Sequence, residues 1–293
     1  MQVSLIDFKV QDGMILNGFI TSNNNNKILI ATHGMSSNCF KEREKVIASK
    51  CVENGIDFLG YNNRGSELVK YTKKIINEKE EQNLGGTTYE DVIEGYFDIK
   101  GAILKAVELG YEEIYLQGHS LGATKTVYTY NKLKEENSEL LKYIKGIILL
   151  SLIDIPRAIK VYSKEKFEEY FKFAEDKEKE KSLYELMPYK AFIHPISVKT
   201  YLRYTKYCKE INFAKYSENN DFEVLNNIST PLFMRWGNVN EMIEQNAKDL
   251  CKLLKNQVKN DNKNINFIDG ANHGYTGKEE ILAEEILKFI SNN

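Results

Sequence analysis

This 293-residue sequence predicts an α/β architecture, a mainly parallel sheet of eight strands flanked by helices. Short apolar runs rich in β-branched and aromatic residues alternate with segments of helical periodicity, the pattern of a sheet covered on both faces. One long stretch, residues 156–225, breaks the alternation without a strand-like run of its own.

The elements follow in order. Val3–Val10 and Met14–Thr21, joined by the turn Gln11-Asp12-Gly13, predict an antiparallel opening hairpin. Ile28–Thr32 comes next, after the polar run Asn23–Asn26. Five further short apolar runs complete the sheet: Phe58–Tyr61, Ile114–Gln117, Ile147–Ile153, Leu232–Trp236 and Ile265–Ile268. Between them, Ile93, Tyr96, Phe97, Leu104 and Val107 recur near helical spacing until Gly110, which suits a helix C-terminus. Ile243, Ala247, Leu250, Cys251 and Leu254 repeat the pattern, and Leu282, Ile286, Phe289 and Ile290 form a closing helix. In the interrupting stretch, Phe167, Tyr170, Phe171 and Ala174 make one helical stripe, and the charge run Lys177–Lys181 reads as a solvated face. Residues 1–155 and 226–293 are therefore expected to form one core domain. Residues 156–225 are expected to be a helical cap over the C-terminal edge of the sheet, where open α/β sheets bind ligands.

Composition removes several function classes. With 42% hydrophobic residues the chain can bury a large core. Its net charge of −2 comes from 40 basic and 42 acidic residues spread along the chain, so no basic stripe offers itself to nucleic acid. No apolar run approaches the roughly 18 residues of a membrane span, and the N-terminal MQVSLIDFKVQDG has no leader pattern. A soluble cytoplasmic protein with no membrane partner is expected. Cys39, Cys51, Cys208 and Cys251 are far apart, which predicts reduced thiols and neither disulfide nor zinc. Oligomeric state leaves no readable trace.

The chemistry begins after the strand Ile114–Gln117, where Gly118-His119-Ser120-Leu121-Gly122 precedes an amphipathic segment. A serine flanked this way sits on a tight turn between strand and helix. The glycines remove Cβ clashes, Oγ projects from the backbone, and the helix N-terminus favours developing negative charge.

The order of elements, the turn Thr32-His33-Gly34-Met35 and this elbow resemble the α/β-hydrolase superfamily across nearly the whole chain. The stretch Gly85-Gly86-Thr87-Thr88-Tyr89-Glu90-Asp91, leading through Asp98-Ile99 to Leu116-Gln117-Gly118-His119-Ser120, is similar to a subgroup of hydrolases grouped as a domain of unknown function. The resemblance implies that Ser120 is a nucleophile and that the backbone amides of Met35 and Leu121 form an oxyanion hole. His33 is more often a structural hydrogen-bonder in such proteins.

Of the other histidines, His119 belongs to the elbow and His194 to the insertion. His273, in Asp269-Gly270-Ala271-Asn272-His273-Gly274 after the last strand, stands where the superfamily places its general base. The superfamily's acid commonly follows the seventh strand as Gly-x-x-Asp, but here Trp236-Gly237-Asn238-Val239-Asn240-Glu241 puts asparagine at that position. Three partners for His273 stay open: Glu241, the first choice, with a longer side chain one residue on; Asp154, at the end of the sixth strand; and Asn240 as orienter of a Ser–His dyad. Glu241 also reads as a first-turn helix carboxylate, and Asp154 as a helix cap. Arg64 follows the fourth strand and Arg235 lies in the seventh, so either could approach a substrate carboxylate, although structural ion pairing is the preferred reading.

The expected activity is a two-step acyl transfer in which Ser120 attacks a small-molecule carboxylic ester with His273 as base, and no cofactor or metal is required. The rivals are a ligand-binding or regulatory protein on a hydrolase scaffold, motivated by Asn240, and an acyltransferase that uses an acceptor other than water.

Overall fold

The structure, a computed structural model, describes residues 2–22, 25–217 and 222–293. Part of the run Asn23–Asn26 and residues 218–221 of the expected cap lie outside the described residues. The chain opens with strands β1 (Ser4–Lys9), β2 (Ile15–Ile20) and β3 (Lys27–Thr32), then helix α1 (Glu42–Glu53) and β4 (Asp57–Asn62). A hairpin of β5 (Lys70–Ile76) and β6 (Lys79–Gly85) precedes α2 (Gly95–Glu108), β7 (Glu113–His119), α3 (Leu121–Glu135) and β8 (Ile144–Leu150). The helices α4 (Ile155–Ser163), α5 (Phe167–Lys179), α6 (Val198–Thr205) and α7 (Glu223–Asn226) follow. The chain then adds β9 (Leu232–Gly237), α8 (Ala247–Gln257), β10 (Lys263–Ile268) and α9 (Glu279–Ser291).

Eight strands form one sheet in the order β1-β2-β4-β3-β7-β8-β9-β10. The β1–β2 and β2–β4 pairs are antiparallel, and every other pair is parallel. The central strands are nearly continuous apolar runs because both faces are covered. On one face Ile103 of α2, Val127 of α3 and Leu250 of α8 pack with Leu116, Ile147 and Met234. On the other, Ile47 of α1 and Ile286 of α9 pack with Tyr115, Ile148 and Phe233.

Two expectations are corrected and one element is added. β8 stops at Leu150 and does not continue to Ile153; Ser151 takes a left-handed φ of 48°, which turns Ser151–Ile153 off the strand. Ile243 precedes α8, which starts at Ala247, so Glu241 lies in a loop and not in a first helical turn. The β5–β6 hairpin was not foreseen. Its strands are rich in Lys and Glu and largely exposed, with Thr72 of β5 buried, so no apolar alternation marks them. Asn77 and Glu78 at its tip have φ of 48° and 64°, the sign pattern of a type I′ turn, without the usual glycine. The hairpin docks on the first one through Ile75 N–H donating to Gly13 O at 2.8 Å.

Over the C-terminal ends of the parallel strands, α4, α5 and α6 build a separate apolar cluster around Ile159, Tyr170, Ala174 and Tyr201. That cluster also takes in Leu121 and Ile153, so it is packed onto the elbow helix itself. Ser197 N–H donates to Thr88 O at 2.9 Å and Arg203 pairs with Asp91 at 2.8 Å, which fastens its outer end. Phe213, Ala214, Tyr216, Phe222 and Leu225 pack with the sheet's core instead. The packing boundary thus falls short of residue 225.

Candidate active site

The C-terminal ends of β3, β7, β8, β9 and β10 lie on one edge of the sheet, and the expected site residues gather there. Ser120 stands between β7 and α3 with φ 54° and ψ −123°, a strained conformation for a non-glycine residue. The strain is held in place from below, since Ser120 N–H donates to Leu150 O at 2.8 Å. The flanking glycines are required by space. A Cβ on Gly118 would stand 2.4 Å from Gly122 O, and one on Gly122 would stand 2.3 Å from Thr32 O.

The loop after β10 carries His273, whose ring is partly exposed at 21%. Asn272 Oδ1 shapes this loop by accepting from the amides of Gly274 and Thr276, each at 3.0 Å. His119 Nε2 donates to His273 O at 2.7 Å, tying the loop to the elbow. Burial holds His119 well below the usual histidine pKa, so it is neutral there and the Nε2–H tautomer makes this bond.

His273 Nδ1 is hydrogen-bonded to Glu241 Oε1, and the Glu241 side chain is only 4% exposed. Glu241 Oε2 accepts from Ser151 Oγ at 2.8 Å and from Gly237 N–H at 2.9 Å. Burial pushes the Glu241 carboxyl up, but the hydrogen bonds and charge of its partners outweigh that and hold it below the usual glutamate value. The other two partners weighed for His273 go elsewhere. Asn240 is exposed, with a left-handed φ of 49° that turns the chain so that the following residue points inward. Asp154 caps α4, accepting from Arg157 N–H at 3.1 Å.

His33 is buried in its turn, with Nδ1 donating to Gly34 O at 2.8 Å and Nε2 accepting from Asn63 N–H at 3.2 Å. Burial pushes its pKa down to about 3. The Leu121 amide, first in α3, has no acceptor within its own helix. Among the described residues, the Met35 amide meets no backbone acceptor either.

Ser120, His273 and Met35 line one cavity of about 390 Å³. Arg43, His194 and Met242 also line it, and nothing in the sequence singled them out for it. His194, between α5 and α6, has its Nε2 3.0 Å from Ser36 Oγ beside Met35. Only the three-dimensional packing of residues distant in sequence makes that approach visible. Ser151 was likewise missed, since a serine at a strand end carries no signal by itself. Arg64 and Arg235 stand apart from this cavity. Arg64 is enclosed by Asp98 at 2.8 Å and Glu94 at 3.0 Å, while Arg235 pairs with Glu285 and lies 3.9 Å over the Phe233 ring. Among the described residues no group of three or more His, Cys, Asp or Glu side chains could hold a metal ion, and no helix is long and apolar enough to cross a membrane.

The mostly parallel eight-stranded sheet with its flanking helices has the α/β-hydrolase fold. Solved structures agree. The chain is similar to Est1E from Butyrivibrio proteoclasticus, solved with ferulic acid bound, at a TM-score of 0.68 and 16% identity over 98% of each chain. It is similar to the α/β hydrolase GrgF from Penicillium sp. sh18, at a TM-score of 0.70 and 16% identity over 100% of this chain and 99% of that one. Mouse alpha/beta hydrolase domain-containing protein 10 matches at a TM-score of 0.62 and 13% identity over 99% of each chain. No family model matches the chain, and no curated protein matches its sequence.

Proposed function

We propose that this chain is a serine hydrolase that cleaves a carboxylic ester through an acyl-enzyme on Ser120. The observation that carries the reading is a buried, ionised Glu241 on His273 Nδ1, in a loop that His119 ties to the strained Ser120 turn. Glu241 fixes the tautomer that leaves Nε2 as a base and stabilises the imidazolium formed when Oγ loses its proton. Ser120 Oγ attacks the carbonyl carbon, and the amides of Met35 and Leu121 stabilise the negative oxygen of the tetrahedral intermediate. His273 returns the proton to the departing alcohol, and water then repeats the sequence to release the acid. Esterases among the similar folds support a carboxylic ester as substrate.

A fluorophosphonate probe tests the nucleophile. Wild-type protein should label and hydrolyse p-nitrophenyl acetate, and Ser120→Ala, melting at the same temperature, should do neither. Folded wild type that stays unlabelled beside a labelled control hydrolase would refute the reading.

A further inference from the structure

A second cavity of about 560 Å³ adjoins the one that holds Ser120. Phe192, Ile193 and Met242 line both, so the two meet along a shared wall of apolar side chains. On its far side α4 supplies Ala158, Val161 and Tyr162. The polar groups around it are largely engaged with one another. Tyr216 OH donates to Leu152 O at 2.9 Å, and the Glu241 carboxylate is taken up by His273, Ser151 and Gly237. Arg157 reaches across to Glu244 with two hydrogen bonds of 2.7 and 2.9 Å, and Ser217 Oγ donates to the same carboxylate at 3.0 Å. Arg157, Glu244 and Ser217 thus satisfy one another, and the rest of the lining is largely apolar. An occupant gains little there from hydrogen bonds and much from burying hydrocarbon.

We infer that the substrate is an ester carrying an extended apolar chain, which leaves the Ser120 cavity past Phe192, Ile193 and Met242 and is buried against α4 in the second cavity. The inference rests on the ester-hydrolase reading of Ser120. A short acyl or alkyl group would fill only the first cavity and leave the apolar wall in contact with water. The chain belongs to either the acyl or the alcohol half of the ester, and two substrate series separate these sources.

The test compares kcat/KM for p-nitrophenyl decanoate against the acetate, and for decyl acetate against methyl acetate. It uses wild type, Ala158→Trp and Val161→Trp, each of which places an indole in the second cavity. Wild type should favour the long chain by about tenfold or more in one series, and each variant should cut that ratio at least about fivefold. The series that shows the preference assigns the half. Equal rates for long and short chains in both series overturn the inference, as do folded variants that keep the wild-type ratio. Fluorescence of a dansyl-labelled undecanoic acid reads the cavity without catalysis. Binding to Ser120→Ala that the added Ala158→Trp weakens about tenfold supports the inference even if no ester is turned over, whereas absent or unchanged binding overturns it. Loss of turnover with retained binding refutes only the ester-hydrolase reading.

Discussion

Glu241 shows how a site departs from the motif that announces it. With asparagine at residue 240, a carboxylate one position on would be misplaced if the chain ran on regularly; the left-handed turn at Asn240 and one extra methylene bring Glu241, the proposed acid, onto His273. Sequence could name Glu241, Asp154 and Asn240 as candidates, because each lies near a strand end. It could not rank them securely, since the ranking depends on a single backbone φ and on which side chain is buried. The expected consequence is a sharp asymmetry between two substitutions. Glu241→Gln should lower kcat for p-nitrophenyl acetate by about tenfold or more, because the amide cannot stabilise imidazolium as a carboxylate does. Asp154→Asn should change it less than about threefold, since asparagine caps a helix as well as aspartate. The reverse order of effects would move the acid to Asp154.

Among the elements, those with one job were legible and those with none in the core were not. The strands β3, β4, β7, β8 and β9 are mostly apolar because each is buried, whereas β10 at the sheet edge buries only Ile265 and Ile268, so the runs that mark the strands follow from their position. The β5–β6 hairpin buries almost nothing: Tyr71 is 74% exposed, and its strands are held by backbone pairing and by cross-strand ion pairs such as Lys73 with Glu80 at 2.7 Å. Its register instead depends on the tip. Glu78 occupies a left-handed position that costs a residue with a side chain about 1 kcal/mol. Glu78→Gly should therefore slow hydrogen exchange of the β5 and β6 amides by about fivefold, the ratio that corresponds to that energy. Unchanged exchange would mean that docking on Gly13, and not the turn, limits opening. The helices α4–α6 of the expected cap are the intermediate case. They were readable from their aromatic stripe, but their contact with Leu121 and Ile153 was not, because packing between distant segments has no local pattern.

In the whole molecule, all six mutually parallel strands run the same way, so the ends that bear the elbow, the Glu241 loop and the His273 loop share one edge. The opposite edge holds only connections such as 109–112, 136–143 and 258–262. A short peptide inserted after the exposed Asn137 should leave p-nitrophenyl acetate turnover within about twofold of wild type, since it lengthens a surface loop and reaches none of the site. A larger loss, with the melting temperature unchanged, would show that the two edges are coupled. The practical consequence is one of handling. On the proposed function, this polypeptide has a working side and a mounting side, and a bead, surface or fusion tethered through residue 137 would present the cavity that holds Ser120 outward to the solution.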